Sequence, residues 1–322
     1  MVTDQLRLMT KIARLYYEHG NNQTQIAAEL HVSQARVSRL LKEASAIGIV
    51  RTIVSMPSGV YSEIEEQLEQ KFGLAEAVVA DAEDGGTIGV ALAAAAANYL
   101  ETTLISQEVI GISSWSESLL KMTDALVPLH AGTTKTVVQL MGGNGQSVAQ
   151  FQANHLLTRL ADLTGAKPVF LNAPGFLQSP DAVASLLQAP SLYEATRAWL
   201  ELTMTLVGIG SVEPSPLALA SGNALPEVTL GSLQRLGAVG DICFRYFDID
   251  GQLVLSELND TVVGISPYNL KKVPRRVGVA GGRRKVAAIR AALVGGWINV
   301  LITDLLTARA LLETASEGEQ DG

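Results

Sequence analysis

From about residue 74 to its end the chain repeats one pattern, a short Val/Ile-rich run followed by a stretch with helical spacing. The apolar runs are "AEAVVADA" (75–82), "QEVIGIS" (107–113), "TKTVVQLMGG" (134–143), "AKPVFLNAP" (166–174), "TLVGIG" (205–210), "RRVGVAGG" (275–282) and "INVLITD" (298–304). Between and after them, helices are expected over 85–101, 115–127, 147–163, around 180–202, over 284–295 and over 304–313. Strands that are apolar on both faces and joined by helices must lie parallel and be covered on both sides. The body is therefore α/β, a doubly wound, mostly parallel sheet. In such a sheet a ligand sits outside the carboxyl ends of the strands, so the residues just after each strand carry the function.

Those residues are of one kind. "SSWSES" (113–118) follows the second run, "GGNGQS" (142–147) the third, Gly210-Ser211 the fifth and "GGRRK" (281–285) the sixth. Gly/Ser loops that open helices expose backbone N–H groups and suit a phosphate, and Lys285 adds a point charge. Each loop alone is also what any tight βα turn requires; their recurrence at one sheet edge points to a phosphorylated small molecule with a polar, sugar-like body. None matches G-x-G-x-x-G or G-x-x-x-x-G-K-[ST], so no nucleotide cofactor is expected. Asp248 in "RYFDIDGQLV" suits sugar hydroxyls, although Asp250-Gly251 beside it reads as a hairpin turn to which Asp248 could equally belong.

The first 60 residues differ in character. Residues 3–19 form an amphipathic helix with Leu6, Leu8, Met9, Ile12, Leu15 and Tyr16 on its apolar side. "NNQTQIAAELHVSQARVSRLLKEASAIGIV" (21–50) then reads as two short helices around a tight turn, Thr24 capping the first and Ser33 the second. In the second, Val37, Leu40, Leu41, Ala44 and Ile47 make one stripe. The opposite face carries Ala35, Ser38, Arg39 and Lys42, flanked by Gln34 and Arg36, which is what a helix entering a DNA major groove presents. Gln34 and Arg36 are placed to reach base edges; Ser33, Ser38, Arg39 and Lys42 suit phosphate oxygens. The ordinary alternative is a helical hairpin with a solvated polar face. "GIVRTIVSM" (48–56) alternates like the strand of a wing.

Charge supports the division. Seven cations against four carboxylates leave residues 1–60 at +3 within a chain of net charge −8, so the rest carries −11. A basic head on an acidic body confines any nucleic-acid contact to the head. At 322 residues and 48% hydrophobic content the chain has room for two domains and a large core, and 17% charged residues leave surface for self-association. No run of 18 apolar residues suits a membrane span, and the N-terminus has no signal-peptide pattern; a cytoplasmic protein is expected. Cys243 in "DICFRYF" reads as a buried thiol within one strand-like run, without companions for a metal. The expected organisation is a helix-turn-helix DNA-binding domain over 1–57, a linker or dimerisation helix over 58–73, an effector domain over 74–315 and a disordered tail over 316–322.

The head "QTQIAAELHVSQARVSRLLKEASAIGIV" resembles that of the SorC family of sugar-responsive bacterial transcription regulators, and the resemblance continues along the chain. It runs through "GLAEAVV", "IGISSWSESL", "LMGGNGQ", "VGIGSV", "GAVGDICFRYFDIDG", "NDTVVGIS" and "RVGVAGGRRKVAAIRAALVGGWINVLITDLLTARALL". It implies a winged-helix-like head that binds double-stranded operator DNA with help from Gln23 and Thr24, an effector domain related to sugar-phosphate isomerases and deaminases, and a homotetramer. It also implies that Ser113, Ser114, Ser116 and Ser118 with Lys285 hold phosphate, and that Gly142, Gly143, Asn144 and Asp248 line the rest of the pocket. The chain departs from the family at "SSWSES": Ser118 stands where Thr is usual, and Trp115 and Glu117 enlarge and charge the site. Glu117 by repelling an anion would favour an unphosphorylated sugar or polyol. The competing class is an enzyme of the isomerase type with Asp248 as base and Lys285 as oxyanion stabiliser; none of the four histidines follows a strand at this edge. If Arg36 reads a base, Arg36→Ala should cost ~1–3 kcal/mol of DNA affinity and relax preference at one base pair, measured by fluorescence anisotropy on an operator series; equal loss on all sequences makes it a phosphate contact.

Overall fold

The computed structural model describes residues 2–50, 59–82, 86–114, 116–129, 133–143, 147–214, 219 and 224–313. Internal contacts divide the chain into two compact units, Met1–Pro57 and Ser58–Gly322. Among the described residues no helix is long and apolar enough to cross a membrane.

The first unit is three helices, α1 (Val2–Tyr17), α2 (Gln23–Glu29) and α3 (Gln34–Ala46). Met9, Ile12, Ala13, Ile26, Val37, Leu40, Leu41 and Ala44 form its core. The cap of α2 is Asn22 rather than Thr24: its side chain accepts from Gln25 N while the Gln25 side chain accepts from Asn22 N, a reciprocal pair that satisfies two helix-start donors. Ser33 Oγ caps α3 by accepting from Arg36 N at 3.3 Å, and His31 takes a left-handed φ of 52° in the turn between. Leu6, Tyr16 and Ile47 are exposed, so the expected apolar stripes of α1 and α3 are each narrower than their spacing implied. Ile47 is the C-cap of α3, where the helix has already ended. Residues 51–56 of the expected wing strand, and the tail over 316–322, lie outside the described residues.

The second unit begins with α4 (Ser62–Phe72), which ends on Gly73 at φ 64°. Leu68 on α4 is fully buried with the body, and Glu65 and Glu69 accept from Val79 N and Ala77 N, both at 2.9 Å. Those donors belong to β1 (Glu76–Ala80). The remaining major strands are β2 (Glu108–Ile112), β3 (Thr134–Gln139), β4 (Lys167–Val169), β5 (Met204–Gly208), β9 (Arg275–Val279) and β10 (Val300–Asp304). They form one seven-stranded sheet in the order β1-β10-β9-β5-β2-β3-β4, with every pair parallel. All seven apolar runs of the sequence are its strands. The side chains alternate between two apolar layers: Val109, Val138, Val207 and Leu301 face one, and Ile110, Ile112, Leu206, Val279 and Ile302 face the other.

The helices of the body are α5 (Ile88–Thr103), α6 (Glu117–Ala125), α7 (Ser147–Thr164), α8 (Pro180–Leu187), α9 (Tyr193–Ala198), α10 (Glu227–Arg235), α11 (Glu257–Thr261), α12 (Pro267–Lys272), α13 (Val286–Val294) and α14 (Leu305–Glu313). Two expectations shift here. The stretch 284–295 opens with a 3₁₀ turn at Arg283–Lys285 before α13 begins. "DICFRYF" is a hairpin, not one strand: β6 (Gly210–Ser211), β7 (Gly240–Ile242) and β8 (Arg245–Phe247) make a small antiparallel sheet. Cys243 and Phe244 form its two-residue turn with φ of 53° and 61°, costly for non-glycine residues. Phe244 N donates to Asp241 Oδ2, and the Phe244 ring packs on Phe176 with centroids 4.8 Å apart, which holds the turn in place.

Gly251 lies where α13 meets the second turn of this region. Its φ is 70°, its carbonyl accepts from the buried Trp297 indole, and an added Cβ would sit 2.3 Å from Ala291 O and 2.5 Å from Gly295 Cα. Both obstructions are backbone. Gly251→Ala should therefore destabilise the second unit by at least ~2 kcal/mol, read as a lower denaturation midpoint in urea; a change within ~0.5 kcal/mol would show that the contact can open.

Candidate functional site

β2 and β5 are neighbours in the sheet although their chain continuations leave in opposite directions, β2 toward β3 and β4, β5 toward β9 and β10. The loops after them diverge and leave a crevice at their carboxyl ends, the position where open α/β sheets bind ligands. A cavity of about 720 Å³ opens there. Its walls come from the loop after β2, the start of α5, the β5–β6 segment, the β7–β8 hairpin and the loop Gly281–Lys285.

Close approach of these loops depends on small residues. Gly208 N donates to Ser113 Oγ at 3.0 Å, and a Cβ on Gly208 would lie 2.6 Å from Ser116 Oγ. Ser116 in turn caps α6 through Leu119 N. The Gly281–Lys285 loop is held from the next strand: Asp304, fully buried at the end of β10, accepts from Gly282 N at 2.8 Å, from Thr307 Oγ1 at 2.6 Å and from Thr307 N at 3.0 Å. Gly282 takes φ 93°, and a Cβ on Gly281 would meet Asp304 Oδ2 at 2.2 Å, so both positions need glycine.

Of the residues singled out from the sequence, Ser113, Ser116, Glu117, Ser118 and Lys285 line the cavity together. Glu117 pairs with Lys121 Nζ at 2.8 Å one helical turn on, so its charge is compensated at the mouth. Ser114 is buried beside them, and its hydroxyl finds no partner among the described residues. Trp115 and Asn144 lie outside the described residues. Gly142 and Gly143 are not in the lining: they pack between segments 173–175 and 263–264, Gly142 N donating to Val263 O and Gly143 N to Ala173 O. Asp248 is not in it either. Its Oδ1 accepts from Asp250 N and Gln252 N, the turn alternative that the sequence left open.

Asp241, on β7, reaches the cavity where Asp248 does not, and Lys121, Arg283, Arg284 and Glu213 are also in the lining. The signal for Asp241 was present: it is the one charged residue inside the apolar run "GAVGDICF". Glu213 and Arg284 form an exposed ion pair between the β6 side and the 3₁₀ turn. Lys285 is half-buried; burial lowers its ammonium pKa, Asp241 and Glu117 oppose that, and Arg284 reinforces it. On the first unit, Gln34, Ala35, Arg36, Arg39 and Lys42 are exposed along α3 and Ser38 is half-exposed; Thr24 and half-buried Gln23 belong to the first turn of α2.

A family profile described as "Putative sugar-binding domain" matches residues 59–313. Over 314 residues the chain is 31% identical to the "Deoxyribonucleoside regulator" of Bacillus subtilis (strain 168), covering 97% of this chain and 99% of that one. It is 32% identical over 316 residues to the "Sorbitol operon regulator" of Klebsiella pneumoniae, again with 97% and 99% covered. The crystal structure of the full-length Klebsiella pneumoniae regulator superposes with a TM-score of 0.72 at 30% identity, covering 96% of this chain and 100% of that one.

Asp241 gives the site a pH signature. Burial raises its pKa from 3.8 to about 6, against the lowering effect of the Phe244 N–H and Lys285. A native state that holds this proton more tightly than the unfolded chain loses stability as pH rises from ~4 through ~6, by up to ~3 kcal/mol. Asp241→Asn removes that loss, so the stability of the variant relative to wild type should rise by up to ~3 kcal/mol between pH 4 and pH 7, measured by urea titration. A difference independent of pH would mean that the Asp241 carboxyl titrates normally.

Proposed function

The chain belongs to the SorC family of sugar-binding bacterial transcriptional regulators, and from that premise we propose that its second unit binds a small phosphorylated sugar or polyol which alters the grip of its first unit on double-stranded operator DNA. The observation that carries the effector half is the cavity at the β2/β5 switch point, where the Gly281–Gly282 loop and Lys285 face the serine loop across one space. The Gly282 N–H is taken by Asp304 and Thr307, which fixes the turn, and the cationic side chain of Lys285 that follows it suits a phosphate dianion. Four cations, Lys121, Arg283, Arg284 and Lys285, face three carboxylates, Glu117, Glu213 and Asp241, in the described lining. That excess of one, or two when Asp241 is protonated, matches a single phosphate of about −1.5 to −2.

The DNA half rests on α3. Its capped N-terminus, the short turn before it and the exposed Arg36, Arg39 and Lys42 suit insertion into a major groove with Ser33, Ser38, Gln34, Ala35 and the start of α2 alongside. A homotetramer in the cytoplasm, as the family resemblance implies, would present paired heads to a two-fold operator. α4 is the element that leads from the first unit into the body, and its anchorage on β1 makes it the candidate lever for a population shift between DNA-competent and incompetent arrangements. An isomerase reading would need a base in the cavity: Asp248, the sequence candidate, is engaged in its own turn, but Asp241 lines the cavity with Lys285, so turnover of sugar phosphates by the purified protein is what separates enzyme from sensor.

The test is a thermal-shift and calorimetry series of purified protein with monophosphates and bisphosphates of sugars and polyols, alongside their neutral parents. A monophosphate should bind best, and Lys285→Ala should weaken it ~10–100-fold by removing a charge-assisted contact. Tighter binding of a neutral polyol, indifferent to Lys285, would overturn the phosphate reading. Retention on operator DNA should fall steeply with salt and shift when the bound monophosphate is added; no shift would remove the regulatory link.

A further inference from the structure

One wall of the cavity has a chemistry that a bare sugar phosphate does not use. Val212, Leu225, Leu230 and Tyr246 all face the space, and all four belong to one hydrophobic cluster built on the small antiparallel sheet and α10. Val212 and Tyr246 are buried, whereas Leu225 and Leu230 are only half-buried, their remaining surface open in a region that lines the cavity. Among the described residues, the polar groups beside these four side chains are the Tyr246 hydroxyl and, opposite it across the β7–β8 pair, the Asp241 carboxyl, while Leu225 and Leu230 offer none. The phosphate-type group, Lys285, with Arg283 and Arg284 beside it, belongs to a different segment of the lining.

Hydroxyls of a polyol set against such a wall would give up water without gaining partners, which is unfavourable. Apolar atoms there would be stabilised by the area they remove from water. Size agrees. About 720 Å³ is in the range of pockets that hold drug-sized ligands and more than a phosphate with a short polyol fills.

We propose that the effector is a monophosphate whose far end is apolar, a deoxygenated, alkyl- or aryl-substituted sugar phosphate, with that end lodged against Val212, Leu225, Leu230 and Tyr246. The proposal rests on the phosphate reading above and adds the second half of the ligand. Leu225 and Leu230 then set specificity, while Lys285 sets affinity for the head.

The test needs no knowledge of the sugar. Binding of inorganic phosphate, glycerol 3-phosphate and phenyl phosphate to the full chain is measured by calorimetry in a phosphate-free buffer. Phenyl phosphate should bind at least tenfold more tightly than glycerol 3-phosphate. In Leu225→Asn and Leu230→Asn that preference should disappear while the affinity for inorganic phosphate is unchanged. Both positions are half-exposed, and the wild-type comparison stands without either variant. Equal or tighter binding of glycerol 3-phosphate, or a preference that survives both substitutions, overturns the apolar end and leaves the phosphate reading intact. If none of the three probes binds, the phosphate reading falls and this inference with it.

Discussion

The pairing of β2 with β5 is the constraint on which the rest depends. Ile110, Gly111 and Ile112 stand in register with Met204, Thr205 and Leu206, across more than 90 residues of intervening chain. Burial of Ile110, Ile112, Met204 and Leu206 in one layer drives it, and a one-residue slip would turn those side chains to the other face. Because the chain leaves β2 in one direction and β5 in the other, this pairing creates the crevice that the serine loop, the β6 segment and the Gly281–Lys285 loop surround. The glycines at 208 and 281 are consequences of the same geometry, since a Cβ there would collide with Ser116 or Asp304, while Gly282 is needed for its φ of 93°.

Most of the sheet was legible in the sequence because parallel strands buried on both faces leave an unbroken apolar run, and each of the seven runs is a strand. The three-helix head was legible because its core spacing is helical, although its edges were not. Asn22 and Thr24 are both good caps, and only the reciprocal bonds with Gln25 choose between them. Leu6, Tyr16 and Ile47 follow the stripe but lie at or near helix ends, where neighbours run out.

The site was half legible. Ser113, Ser116, Glu117, Ser118 and Lys285 follow strands of one sheet, so the topology alone brings them together. Asp241, Gly142, Gly143 and Asp248 depend on the small antiparallel sheet and on bridges between distant loops, which local pattern does not encode. The hairpin hid best. Cys243 and Phe244 carry no turn signature, and they adopt left-handed angles only because Asp241 and Phe176 hold Phe244 in place. Asp241, which braces the turn and faces the cavity, is thereby both structural and chemical, and its lone charge in an apolar run marks the position without telling the two roles apart.

The docking of α4 has a consequence for how copies of the chain can meet. β1 is an outer strand of the sheet, and the N–H groups of Ala77 and Val79 that would recruit another strand are occupied by Glu69 and Glu65. At the opposite border β4 has only three residues and carries Pro168, which cannot donate. With both margins closed, the sheet is protected against open-ended stacking of strands from other molecules. Copies of the chain that met through helical and loop surfaces instead could stop at a defined number of subunits rather than growing into fibres.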